Sequence, residues 1–135
     1  KEFTEAVRTL AQRFEQQTRV ATNVRWQGTG PPLNAEQQLQ FIFILQESLS
    51  NIRKHAHAGQ VNIEFDNQHD FTMTISDNGC GFDTAALAKL SGSHVGLGIM
   101  RERALRIRAD LSITSQPDTG SQVRLCLPHQ ERNLA

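Results

Sequence analysis

A chain of 135 residues with 38% hydrophobic and 21% charged side chains has the size and make-up of one domain around one core. Its 14 basic residues balance 14 acidic ones, so no net positive field argues for nucleic acid or an anionic membrane as partner. No apolar run is long enough to cross a bilayer, and no signal peptide opens the chain.

Phe3, Val7, Leu10 and Phe14 recur at helical spacing and predict a helix over residues 2–17. Residues 19–27 alternate through Val20, Thr22, Val24 and Trp26, as a half-buried strand does. Gly28-Thr29-Gly30-Pro31-Pro32 is a loop by its glycine and proline content. Asn34, with Gln37 three residues on, is a helix-start signature. The long helix expected from Ala35 to Ala56 has an apolar stripe at Ile42, Leu45, Leu49, Ile52 and Ala56, which puts Glu47, Asn51 and Lys54 together on the opposite face. Val61, Ile63 and Phe65 mark a strand, Asn67-Gln68-His69-Asp70 a turn, and Phe71, Met73 and Ile75 a strand ending at Asp77.

Residues 83–95 are small, polar and weakly periodic and read as a mobile loop. A helix is expected from Gly96 to Arg108; its arginines Arg101, Arg103, Arg106 and Arg108, with Glu102 and Asp110 interrupting, read as a solvated face. Leu111 and Ile113 open the next strand, Pro117-Asp118-Thr119-Gly120 is a turn, and Val123, Leu125 and Leu127 form the last strand, stopped by Pro128. Residues 1–128 are thus one domain and 129–135 a frayed tail. The chain opens inside a helical pattern without an initiator methionine, which reads as a piece of a longer protein. Cys80 and Cys126 have no metal-like spacing and read as free thiols in a reducing compartment. Two hairpin-length connections in this order of elements predict an α/β fold: a two-layer α/β sandwich whose mixed, mostly antiparallel sheet is covered by helices on one face.

Three blocks carry chemistry, and together they point to a nucleotide site. Asp77 shares parity with Phe71, Met73 and Ile75, so its carboxylate faces the core side and needs a donor. The exocyclic amino group of adenine is one donor; the competing reading is an aspartate capping its own turn at Asn78-Gly79. Gly79 and Gly81 favour the first, because they remove side chains where a flat base can lie against the backbone. On the long helix, the Asn51 amide oxygen suits Mg²⁺ bridging phosphates, and Glu47 suits a metal-bound water or a proton. An exposed polar face is the other reading of both. Lys54 and His55 stand within reach of phosphates, and His55 reads equally well as a surface or packing histidine. Gly96-Leu97-Gly98 opens a helix, where free N–H groups favour phosphate, or else forms a hinge. Ser121 has the parity of Val123, Leu125 and Leu127, so its hydroxyl faces Asp77 unless it is a plain turn serine. A G-x-x-x-x-G-K-[ST] loop and a zinc-spaced ligand set are both absent from the sequence, and Ser93 has no nucleophile-elbow context.

The order of these blocks resembles the ATP-binding domain of bacterial sensor histidine kinases, in the superfamily shared with DNA gyrase B, MutL and a heat-shock chaperone. Gln46-Glu47-Ser48-Leu49-Ser50-Asn51-Ile52-Arg53-Lys54-His55-Ala56 resembles the N box, and Asp77-Asn78-Gly79-Cys80-Gly81-Phe82 the first glycine box. The run from His94 to Ala104, with Gly96-Leu97-Gly98 inside it, resembles the second glycine box in its nitrate/nitrite-sensor-like form. The resemblance implies Mg²⁺-ATP binding, with Asn51 on the metal and Asp77 on the adenine amino group. It also implies Gly79 and Gly81 beside the base, Gly96, Leu97 and Gly98 at phosphates and hinge, and Lys54 and His55 near phosphates. Glu47 matches the position that activates water in ATPase relatives.

The resemblance further implies transfer of the γ-phosphoryl group to a histidine on a separate dimerisation domain, then to the receiver domain of a response regulator. The parent would be a membrane-anchored sensor with this domain, a monomer in isolation, in the cytoplasm. The sequence departs from the family in lacking the acceptor helix, with its Leu-His-Asp context, and the dimerisation helices. His69-Asp70 falls in a hairpin turn, the lid between Phe82 and Gly96 is short, and Ser121 stands where threonine is common. An ATP-hydrolysing or serine-phosphorylating relative and a non-catalytic nucleotide-sensing module are the rival readings.

Overall fold

Helix α1 (Glu2–Thr18) buries Phe3, Val7, Ala11 and Phe14, one residue per turn. It stops because Arg19 takes the left-handed conformation (φ 61°) and donates its N–H to the Glu15 carbonyl at 2.7 Å. Strand β1 (Ala21–Gln27) therefore begins two residues later than the alternation alone predicts. The structure, a computed structural model, describes residues 2–55, 59–79, 91–116 and 120–132.

Helix α2 (Ala35–His55) opens with the expected reciprocal cap: the Gln37 N–H donates to Asn34 Oδ1 at 2.8 Å, and the Asn34 N–H donates to Gln37 Oε1 at 2.9 Å. Leu45, Leu49 and Ile52 are buried as the stripe requires, and Phe41 and Ile44 widen it. Ile42 is partly buried, and Ala56 lies outside the described residues. Strands β2 (Gln60–Asn67) and β3 (Phe71–Asp77) form a hairpin; helix α3 (Ser91–Arg106) then leads to strands β4 (Asp110–Gln116) and β5 (Gly120–Leu127).

The five strands lie in the order β1-β2-β3-β5-β4; β1 pairs with β2 in parallel and every other pair is antiparallel. Val61, Ile63, Phe65, Phe71, Met73, Ile75, Val123, Leu125 and Leu127 share the inner parity and are buried under the helices. The other face carries Glu64, Thr74, Gln122 and Arg124. The fold is the expected two-layer α/β sandwich with a mixed sheet. Among the described residues no helix is long and apolar enough to cross a membrane.

Three expectations fail. The helix predicted to open at Gly96 begins at Ser91, so Gly96, Leu97 and Gly98 lie inside α3 and not at its N-terminus. Glycine permits a helix break without requiring one, at about 1 kcal/mol relative to alanine, and Met100 and Ala104, buried where α3 packs on α2, hold the helix downstream. Of the loop expected over 83–95, residues 83–90 lie outside the described set and 91–95 are helical. The chain after Pro128 is docked as far as Arg132 instead of frayed: a 3-10 turn (His129–Glu131) leads to Arg132, whose guanidinium donates to the carbonyls of His69 and Pro31. The Asp70 carboxylate also accepts the His129 N–H at 2.8 Å. Those backbone donors and acceptors have no side-chain periodicity to announce them.

Candidate functional site

Asp77 is the last residue of β3 and keeps the inner parity of the strand, with 8% of its surface exposed. A buried carboxylate needs donors, and two are present. The Gly79 N–H donates to Oδ1 at 2.9 Å, and the Ser121 hydroxyl donates to Oδ2. The register pairs Asp77 with Ser121 directly across β3 and β5. Ser121 thus faces Asp77 without an intervening water, and the turn-capping reading of Asp77 is realised beside it.

Gly120 makes this approach possible. It has φ 111°, and a Cβ there would collide with the carbonyl oxygen of Asp77. The turn pattern of the sequence does not name the partner of Gly120, which is set by the β3–β5 register. Asn78 was also missed. Its Oδ1 accepts the N–H groups of Gly59 and Gln60 at 3.0 and 2.9 Å, tying the end of β3 to the start of β2.

Asn51 approaches from α2. It is half-buried, and its side chain has no hydrogen-bond partner among the described residues. It borders a small cavity of about 10 Å³, room for about one water, together with Ser48 and Ile52 of α2, Ile75 of β3, Met100 of α3, Ile113 of β4, and Ser121 and Val123 of β5. An open hollow of about 290 Å³ adjoins it, lined by Asp77, Gly120, Ser121 and Thr114 among others. Ser121 belongs to both, so the structure brings Asn51, Asp77 and Ser121 around one two-part cleft. Met100 and Ile113 are members that periodicity reads only as core.

The remaining candidates are placed as follows. Glu47 is half-buried one turn before Asn51, and Lys54 is exposed near the end of α2; neither lines the cleft. Gly98 is exposed on α3, and a Cβ added there would meet nothing within 4 Å. Gly81 lies outside the described residues, as do the side chains of His55 and Leu97 and the surroundings of Gly96. Among the described residues no group of three or more His, Cys, Asp or Glu could hold a metal ion.

A sequence profile described as Histidine kinase-, DNA gyrase B-, and HSP90-like ATPase matches residues 36–131. The chain belongs to this family. The matched span of this ATPase-family domain runs from the first turn of α2 through β5 to the end of the 3-10 turn, so it takes in Asn51, Asp77 and Ser121. The signal transduction histidine-protein kinase/phosphatase DegS of Brevibacillus brevis is 33% identical over 116 residues, covering 85% of this chain and 29% of the relative. Sensor protein VraS of Staphylococcus haemolyticus (strain JCSC1435) is 42% identical over 86 residues, covering 63% of this chain and 24% of the relative. The chain therefore spans less than a third of these curated relatives.

Two solved structures share the fold. Acinetobacter baumannii histidine kinase AdeS superposes with a TM-score of 0.73 at 18% identity, over 94% of this chain and 64% of that one. The histidine kinase domain of the Erythrobacter litoralis EL346 blue-light activated histidine kinase does so with a TM-score of 0.71 at 19% identity, over 96% and 62%.

Proposed function

We propose that this domain binds Mg²⁺-ATP and supplies the γ-phosphoryl group to a histidine on a separate dimerisation domain of a two-component sensor kinase. The observation that carries the reading is the buried Asp77 carboxylate, oriented by Ser121 and Gly79 in an open hollow that shares Ser121 with a small cavity walled by Ile52, Ile75 and Val123. An anionic acceptor beside an apolar slot suits a flat base with an exocyclic amino group. Gly79, whose N–H already turns toward Asp77, and Gly81 would flank the base. Family membership and the kinase names of the relatives support the same reading.

The residues also fit magnesium held chiefly through phosphates. Among the described residues the Asn51 amide oxygen has no hydrogen-bond partner and no group of carboxylates could hold a metal ion; one amide oxygen is the sparse protein ligation that Mg²⁺ accepts while keeping several waters. When bound, the ion would neutralise charge on the phosphates. Asn51 would orient the ion, Glu47 would hold a water or proton one turn away, and Lys54 and His55 would stand by the phosphates at the end of α2. Gly96, Leu97 and Gly98 would act as a flexible stretch of α3 beside them. The phosphoryl group would then pass to an aspartate of a response regulator. The parent would be membrane-anchored with this domain in the cytoplasm. A nitrate/nitrite-type signal rests on the second glycine box alone, whereas the relatives DegS and VraS support a sensor kinase without that signal.

Calorimetric titration of the chain with a non-hydrolysable ATP analogue, with and without Mg²⁺ and beside a GTP analogue, tests the reading. Saturable, adenine-selective, Mg²⁺-enhanced binding is expected. Absence of binding, or equal binding of guanine, would remove it.

A further inference from the structure

Met100 is fully buried, and its thioether sulfur lies 3.9 Å from the Ser48 hydroxyl of α2. That hydroxyl donates to the Ile44 carbonyl at 2.7 Å, so it is fixed to the helix that carries Asn51. Met100 also borders the enclosed half of the cleft, and it is the one described α3 residue that does so. The other apolar walls, Ile52, Ile75, Ile113 and Val123, are β-branched and stiff at χ1. Methionine is unbranched, with three rotatable side-chain bonds, and repacks most readily. Any base that enters must displace or compress the wall that yields first, and that wall belongs to the same helix as Gly98, two residues away.

We infer that Met100 is a positioning residue that couples occupancy of the base cavity to the order of α3. The inference rests on the nucleotide reading above and deepens it by naming how one face of the site reports on the other. Base binding would fix the Met100 rotamer against Ser48, and α3 would lose local opening motions as a result. Among the described residues no hydrogen bond joins Asn51 or Asp77 to α3, so Met100 carries the response of α3.

Amide hydrogen exchange over residues 98–106, with and without saturating ADP, tests this alongside calorimetry on the same samples. In the wild-type chain ADP is expected to slow exchange there by about fivefold or more. Met100→Leu, which keeps volume and burial, should retain the slowing. Met100→Ala, saturated with ADP at the concentration its own titration requires, should lose the slowing. Ile107→Ala, also buried, just past α3 but away from the cavity, controls for lost packing and should retain the slowing. Slowing that survives in Met100→Ala, or wild-type ADP binding without slowing, overturns the coupling alone. Wild-type chain that takes up no ADP overturns the proposed function and the coupling with it.

Discussion

Asp77 concentrates the chemistry of the cleft in one carboxylate. Both oxygens already accept a proton donor, from Gly79 and Ser121, which fixes the plane in which remaining lone pairs are presented. In Asp77→Asn one oxygen becomes an NH₂ group that faces a donor, either in the protein or on the base. Such a buried mismatch costs about 1–3 kcal/mol, so the dissociation constant for an adenine nucleotide should rise roughly tenfold to a hundredfold. Titration of the folded variant checks this, and wild-type affinity would remove Asp77 as the base contact. Gly120 acts on the same point through the backbone. At φ 111° and with no room before the Asp77 carbonyl, Gly120→Ala should lower stability by about 2 kcal/mol or more in urea unfolding. Nucleotide affinity should fall with it because the displaced strand carries Ser121. Inward parity made Asp77 and Ser121 legible in the sequence. Gly120 was not, because its constraint comes from a residue 43 positions away by numbering (120 against 77) that only sheet register brings near.

At the scale of elements, α2 was read nearly in full because its stripe, its cap and its polar face are all written locally. The buried Gln37, Gln40 and Ser48 escaped the pattern. Gln37 takes part in the cap, Gln40 donates to Glu36 at 2.7 Å, and Ser48 bonds back to Ile44. Local hydrogen bonds thus let polar side chains enter the interior without breaking helical geometry. Helix α3 was misread at its start because two glycines look like punctuation. Its C-terminus has the clearer signal: Arg108 is left-handed (φ 58°), its N–H reaches the Leu105 carbonyl, and the Ala109 N–H reaches Ala104 at 3.0 Å. Gly98 lies in the helix with helical dihedrals and open space around it. Gly98→Ala should therefore stabilise the chain by about 0.5–1 kcal/mol. If Gly98 serves as a hinge during phosphoryl transfer, turnover by the full kinase should drop while stability rises. Unchanged or reduced stability in thermal unfolding would mean that Gly98 does not spend the folded state in helix.

Across the whole molecule the hairpins were legible from turn lengths, whereas the parallel β1–β2 pair was not, because it depends on where α2 carries the chain over the sheet. The end of β3 away from Asp77 was the least legible region, since it is assembled from the His69-Asp70 turn, β5 and the docked C-terminal turn. Arg132 is held there by two carbonyls and lies 5.5 Å from the Phe71 ring, and burial lowers its pKa. Cys126, a free thiol, points to the polar sheet face but is covered at this end, with its sulfur 3.7 Å from Asp70 Oδ2. Burial first, then the negative charge of Asp70, raise its pKa above the ordinary 9.0; Asp110 adds to the shift and Arg124 opposes it. The folded chain then holds the thiol proton more tightly than the unfolded chain. The stability linked to that proton is complete below the unfolded value and is lost as pH rises through the higher folded value. Wild-type unfolding free energy should therefore decline between about pH 8 and pH 10 more steeply than that of Cys126→Ala, which keeps the burial and removes the titration. Urea unfolding at stepped pH reads both slopes, and Cys80, common to both proteins, drops out of the difference. Parallel curves would show that the Cys126 thiolate is as well solvated in the folded chain as in the unfolded one.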